Sequence, residues 1–180
     1  EHLFELQEYT CCAIWDHSGT RVLLKGELAE QELVSFSLDG KDRQILLQVP
    51  HRVSSPARFP NQQDYVYVGG IVNRDINYYS RADSKLSVPV NSAVDDRLPN
   101  LSPDGRRLAY ISERTGSDEV WIRDQQGGGE IKLTQFNDNR HYFDLQWSPD
   151  GRLLAGMTGN EIHLIDAQSG QFQKLKIPQS

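Results

Sequence analysis

Cysteine is almost missing from this 180-residue chain. The two that occur, Cys11 and Cys12, are neighbours, and adjacent cysteines can close only a strained ring that constrains no useful loop. A disulfide-dense secreted module is thereby excluded, and the pair reads as two small side chains on opposite faces of a strand. Long apolar runs are missing too. Mean hydropathy is −0.59, and no segment approaches the ~18 apolar residues of a membrane-spanning helix, so no membrane insertion is expected within the chain. Basic runs are likewise absent: six lysines and thirteen arginines are dispersed, and the net charge is −6. Such a surface repels a phosphate backbone, so no direct nucleic-acid contact is expected. Helical periodicity is nearly absent; Glu27 to Glu32 reads as one turn or as a connection between strands. The start at Glu1 lacks the basic-then-apolar build of a secretion signal and reads as a processed chain or a piece of a longer one.

Catalytic signatures are also wanting. There is no Gly-x-Ser-x-Gly elbow. His2, His17, His51, His141 and His163 are scattered without metal-ligand spacing. Of these, His163 reads as a packed strand residue and His17 as a solvated turn residue. Asp95-Asp96 and Asp138-Asn139 lack the alternation of a calcium loop. Gly127-Gly128-Gly129 has no following Lys-Ser/Thr and suits a hairpin rather than a phosphate. No catalytic residue, metal ligand or cofactor site is expected.

Repetition is what the sequence does have. Leu101-Ser102-Pro103-Asp104-Gly105-Arg106-Arg107-Leu108-Ala109 recurs as Trp147-Ser148-Pro149-Asp150-Gly151-Arg152-Leu153-Leu154-Ala155, with the prolines 46 residues apart. A degraded copy runs from Arg58 to Tyr67, its Pro60 lying 43 residues before Pro103. A fourth, Trp15 to Leu24, has His17 in the proline position. In Ser-Pro-Asp-Gly, proline presets φ, Ser and Asp bond nearby backbone, and Gly relieves the exit.

Each turn leads into a β-rich run: Arg21 to Lys25, Tyr65 to Val68, Leu108 to Ser112 and Leu153 to Met157. A second apolar run follows in each unit (Leu33 to Leu38, Ile76 to Tyr79, Val120 to Ile122, Ile162 to Ile165), then an acidic or glycine-rich turn. A last short run closes it: Gln44 to Val49, Leu86 to Val90, Ile131 to Leu133, Phe172 to Ile177. With the strand before each turn this predicts an all-β chain: a β-propeller fragment of about four four-stranded blades, approximately 9–50, 51–93, 94–137 and 138–180. Apolar residues occupy both parities in Leu108-Ala109-Tyr110-Ile111, which suits sheets covered on both faces.

At these motifs the sequence resembles the TolB-like family of WD-type propeller repeats, most specifically over Pro99 to Thr134 and Leu145 to Ile177. In that family such blades build rings of six to eight, in periplasmic TolB, in the gating propellers of prolyl oligopeptidase-like enzymes, and in the extracytoplasmic parts of membrane-bound regulators resembling CadC. The resemblance implies a non-catalytic binding or sensing module that recognises a protein or peptide partner or a small-molecule signal. It implies a periplasmic location, as the extracytoplasmic region of an inner-membrane transcriptional regulator. The alternatives are a TolB-like interaction propeller and the gate of a hydrolase. An open arc of four blades would leave apolar faces uncovered, so self-association, most simply as a dimer, is expected.

One further feature repeats. Asp95-Asp96-Arg97 and Asp138-Asn139-Arg140 each precede a unit, in what reads as the connection entering its innermost strand. Arg97 and Arg140, with Asp96 and Asn139, are the candidate ligand- or partner-binding residues, the guanidinium groups acting as forked donors to a carboxylate. Replacing both arginines by alanine is expected to leave thermal stability nearly unchanged. Trp15, Trp121 and Trp147 read as core residues.

Overall fold

The computed structural model describes residues 13–25, 31–50, 52–60, 62–70, 73–127, 129–136, 138, 140–159 and 161–175. Cys11, Cys12, His2, His51, Asn139 and most of the Glu27 to Glu32 segment lie outside them. The described elements are sixteen strands in four antiparallel sheets of four, each in up-and-down order. This is the all-β blade pattern that the repeats predict. Among the described residues no helix is long and apolar enough to cross a membrane.

The chain divides into two compact units, residues 1–91 and 92–180. The first holds β1 (Ile14–Trp15), β2 (Arg21–Lys25), β3 (Glu32–Ser37) and β4 (Arg43–Gln48), then β5 (Arg52–Arg58), β6 (Tyr65–Gly70), β7 (Asp75–Ser80) and β8 (Lys85–Val90). Leu23, Leu33, Leu47 and Val49 of the first sheet region pack with Val53, Tyr65, Tyr67 and Tyr79 of the second. The second unit holds β9 (Asp96–Leu101), β10 (Arg107–Ser112), β11 (Glu119–Asp124) and β12 (Glu130–Lys132), then β13 (Asp144–Trp147), β14 (Leu153–Thr158), β15 (Glu161–Asp166) and β16 (Phe172–Leu175). Its core joins Ala109, Ile111, Val120, Ile122 and Leu133 to Tyr142, Leu145, Leu154 and Ile165.

The repeated turns are built alike. Ser102 Oγ donates to Asp104 Oδ1 at 2.6 Å and accepts from Arg107 N at 2.9 Å, while Arg106 N donates to Asp104 Oδ1 at 3.1 Å. Ser148 and Asp150 repeat this at 2.6, 3.0 and 3.1 Å with Leu153 and Arg152. Gly105 and Gly151 both take φ near 70° (71° and 67°), a left-handed backbone that glycine adopts without steric cost. The copy without proline reaches the same shape by exchanging two residues. Asp16 stands in the serine position and accepts from the Thr20 and Arg21 amides, each at 3.1 Å, and Ser18 donates to it.

Three expectations need correction. The Arg97 position is strand, not connection: β9 begins at Asp96, because the strand is lengthened by a bulge at Leu98-Pro99, where Leu98 has φ 54°. Trp15 is 53% exposed and not a core residue, since it lies on the two-residue strand β1. Burial on both parities holds for β6 and β10 but not for β14, where buried and part-exposed residues alternate.

Candidate functional site

In each sheet of the second unit, the end opposite the Ser-Pro-Asp-Gly turn gathers the connection into the innermost strand and the hairpin between the two middle strands. Register places Asp96 beside Ser112, and Asp144 beside Met157 with Thr158 against Glu161. Charged side chains collect there.

At the first of these ends, Arg97 is the centre. Its Nη1 donates to Glu113 Oε1 at 2.7 Å and its Nη2 to Asp118 Oδ2 and to His141 Nδ1, the last at 2.9 Å. The Arg97 and Asp118 side chains are only 6% and 2% exposed. Asp118 also accepts from the Tyr142 amide at 2.9 Å, which ties the connection between β12 and β13 to this network. The ligand atoms of Glu113, Asp118 and His141 lie within 4.8 Å of one another. The Arg97 guanidinium bonds all three, so it supplies the positive charge that a metal ion would otherwise bring. Asp96 is fully buried and turns elsewhere: its Oδ1 accepts from Arg114 Nη2 at 3.3 Å. Arg114 also pairs with Glu130 at 2.8 Å and lies 4.5 Å over the Trp121 ring.

Arg140 is placed differently. It stays in the connection and forks onto its near neighbour, Nε and Nη2 donating to Asp138 at 2.7 and 2.6 Å. The guanidinium carbon lies over the Phe136 ring, 3.7 Å from its centre, and 5.2 Å from that of Phe172. The forked arginine holds the Asp138 carboxyl down at about 2 and is itself raised by the same bonds. The start of this connection is anchored on β11: Thr134 Oγ1 and Phe136 N donate to the buried Glu119 carboxylate at 2.6 and 2.8 Å.

Behind Arg140 stands His163, buried in mid-β15 among Phe136, Tyr142 and Phe172. Its Nε2 faces Glu161 Oε2 at 3.1 Å. A carboxylate only accepts, so Nε2 carries a proton, and Nδ1 bonds the Tyr142 hydroxyl at 2.9 Å. Burial pushes the Tyr142 hydroxyl up to about 12, so it keeps its proton. Glu161 also accepts from Lys174 at 2.7 Å, and the Lys174 and His163 bonds lower its carboxyl. Asp138, Arg140, Thr158, Gly159, Glu161, His163 and Lys174 line an open cleft of about 500 Å³.

The structure thus separates the candidate residues. Arg97 and Asp96 are buried in different ion pairs, Arg140 lines a cleft, and Asn139 lies outside the described residues. Sequence reading missed Asp118, Glu161 and Lys174. The signal it offered was faint: an acidic residue closing or opening each middle hairpin, Asp118 after Gly116 and Glu161 after Gly159.

No family model matches the chain. A Bacillus subtilis protein named uncharacterized peptidase YuxL is 28% identical over 97 residues, covering 48% of this chain and 14% of its own. Tricorn protease homolog 1 of Streptomyces coelicolor is 36% identical over 78 residues, 43% of this chain and 7% of its own. The Tol-Pal system protein TolB of Anaeromyxobacter dehalogenans is 38% identical over 103 residues, 57% and 24% respectively. The chain thus spans a quarter or less of these relatives. Among solved structures, TolB from Acinetobacter baumannii superposes with a TM-score of 0.80 at 15% identity, covering 96% of this chain and 45% of that one. A structure assigned as TolB from Agrobacterium tumefaciens gives 0.82 at 16% identity, covering 98% and 65%. With its four up-and-down sheets, the chain has the TolB-like β-propeller fold.

Proposed function

We propose that this chain is a non-catalytic, extracytoplasmic β-propeller segment that recognises a protein partner, in the manner of TolB. The carrying observation is the match to TolB from both directions: 38% identity over 103 residues of one and superposition over nearly the whole chain with others. The acidic net charge and the pairing of the rim charges with one another agree with a docking surface. The regulator resembling CadC and the peptidase gate place the same blades beside other domains, since fold does not fix function. TolB matches favour the interaction reading over the regulator; the peptidase-named relatives match shorter stretches.

Two experiments test this. Photo-crosslinkers at Thr158 and at Lys174 of the parent protein should yield a discrete adduct with an envelope protein, and alkaline phosphatase fused to the parent should be active, as it is only outside the cytoplasm. Absence of both would refute the reading. Sequence flanking the segment separates the rivals: an upstream winged helix followed by an apolar span of ~20 residues marks a tethered regulator, and a downstream Gly-x-Ser-x-Gly domain a hydrolase.

Self-association belongs to the same proposal. On the side of β14 and β15 away from the core, Leu153, Ala155, Met157, Ile162 and Leu164 form a part-exposed apolar face. Such a face favours contact with another blade. A monomer by light scattering at high concentration would count against a dimer.

A further inference from the structure

We propose that the cleft beside the β14–β15 hairpin binds a neutral polyhydroxylated ligand, a sugar unit presenting adjacent hydroxyl groups. Its volume, about 500 Å³, falls within the ~300–1,000 Å³ of small-molecule sites. What selects the ligand class is how its charges are already arranged.

Among the described residues the cleft holds two carboxylates and two cations, and each is paired within the protein: Asp138 with Arg140, Glu161 with Lys174. A charged ligand is attracted by one half of such a set and repelled by the other. To bond fully it must part an ion pair, and the Asp138–Arg140 fork is held against Phe136. A hydroxyl escapes this conflict because it both donates and accepts. Neighbouring hydroxyls can donate to a carboxylate oxygen and accept an ammonium N–H while both pairs stay intact. The capacity is present. Among the described residues each Glu161 oxygen accepts one bond, from Lys174 and from His163, and keeps a lone-pair direction free. Among the described residues Lys174 uses one of its three N–H groups, on Glu161.

The remaining walls agree. The Thr158 hydroxyl has no protein partner among the described residues. Gly159 has open space where a side chain would stand, so a ligand can reach its backbone. Phe172 is 41% exposed and shares a face of β16 with Lys174, two residues on. Its ring does not line the cleft but packs against His163 and Phe136, each with ring centres 5.0 Å apart, and so supports the floor from beside it. The buried His163 floor and the stacked Arg140 hold these groups in place before a ligand arrives, which lowers the ordering cost of binding.

The test is an amide-shift titration of the ¹⁵N-labelled 180-residue chain with glucose and with N-acetylglucosamine, and separately with acetate and with methylammonium. At least one sugar should give saturable millimolar shifts confined to Thr158, Gly159, Glu161 and Lys174, and neither ion should do so. Thr158→Val and Lys174→Met should each weaken that saturation about 3–10-fold, the worth of one hydrogen bond, with the rest of the spectrum unmoved. No saturation by either sugar, saturation of the same amides by acetate or methylammonium, or a sugar response indifferent to both variants would each overturn the proposal. The titration uses no protein partner, so its failure leaves the interaction reading standing, and a missing crosslink leaves the sugar site standing.

Discussion

Arg97 and Arg140 close the same Asp-x-Arg pattern ahead of successive repeated turns, yet they have become opposite kinds of residue. Arg97 is 6% exposed, and its partners come from other elements: the neutralising Glu113 and Asp118 from the next hairpin, and His141, a hydrogen-bond acceptor, from the following connection. Arg140 is 18% exposed, and its partner is Asp138, two residues away and 47% exposed. In the first the charge is locked inside and cements the sheet ends. In the second it is held at a cleft wall with its surroundings open. This repeated pattern therefore carries no repeated backbone: Arg97 lies in β9 and Arg140 in a connection, and the groups that face each decide between cement and site.

The largest expected effect breaks the first member of this pair. Arg97→Met strands the buried Asp118 carboxylate, and losing one partner of such a pair costs about 3–5 kcal/mol, read by urea unfolding. Adding Asp118→Leu should recover most of it, because a double apolar replacement leaves no buried charge behind. A wild-type midpoint for Arg97→Met alone would make the network ornamental. This reverses the expectation, drawn from the motif, that losing both arginines would hardly matter.

Arg140→Met should cost about 1 kcal/mol, combining an exposed ion pair with a stacked cation worth ~0.5–2 kcal/mol. A loss as large as that of Arg97→Met would erase the distinction between the two positions. The smallest effect is one of pH. The Asp138 carboxyl sits at about 2 in the folded chain, below its ordinary 3.8. A depressed carboxyl stabilises the fold above its unfolded value and loses that contribution as pH falls. The gap in stability between the chain and Arg140→Met should therefore be constant above pH ~4 and shrink on acidification towards ~2. A gap that grew on acidification would assign the stabilisation to another group.

The blades were legible because their causes are local. Ser148-Pro149-Asp150-Gly151 satisfies its own backbone within five residues, and so announces its turn wherever it occurs. Asp16 and Ser18 show that the same turn survives an exchange of order. The site was less legible. Arg97 looked like a loop residue because the bulge at Leu98-Pro99, which draws it into β9, arises from pairing with β10 rather than from composition. Its meeting with His141, 44 residues on, likewise depends on how two sheets stack. Trp15 looked apolar enough for a core, but β1 is too short to carry it there.

By itself, then, the sequence determined the all-β class, the four-strand repeat, the position of each tight turn and the lack of a long apolar span. All of these depend on residues within a few positions of one another. Only the tertiary structure decided which acid each arginine meets, which tryptophan is buried, and that Thr158, Glu161, His163 and Lys174 share a cleft with Arg140. Those outcomes depend on side chains brought together across strands, where distance along the chain carries no information about distance in space.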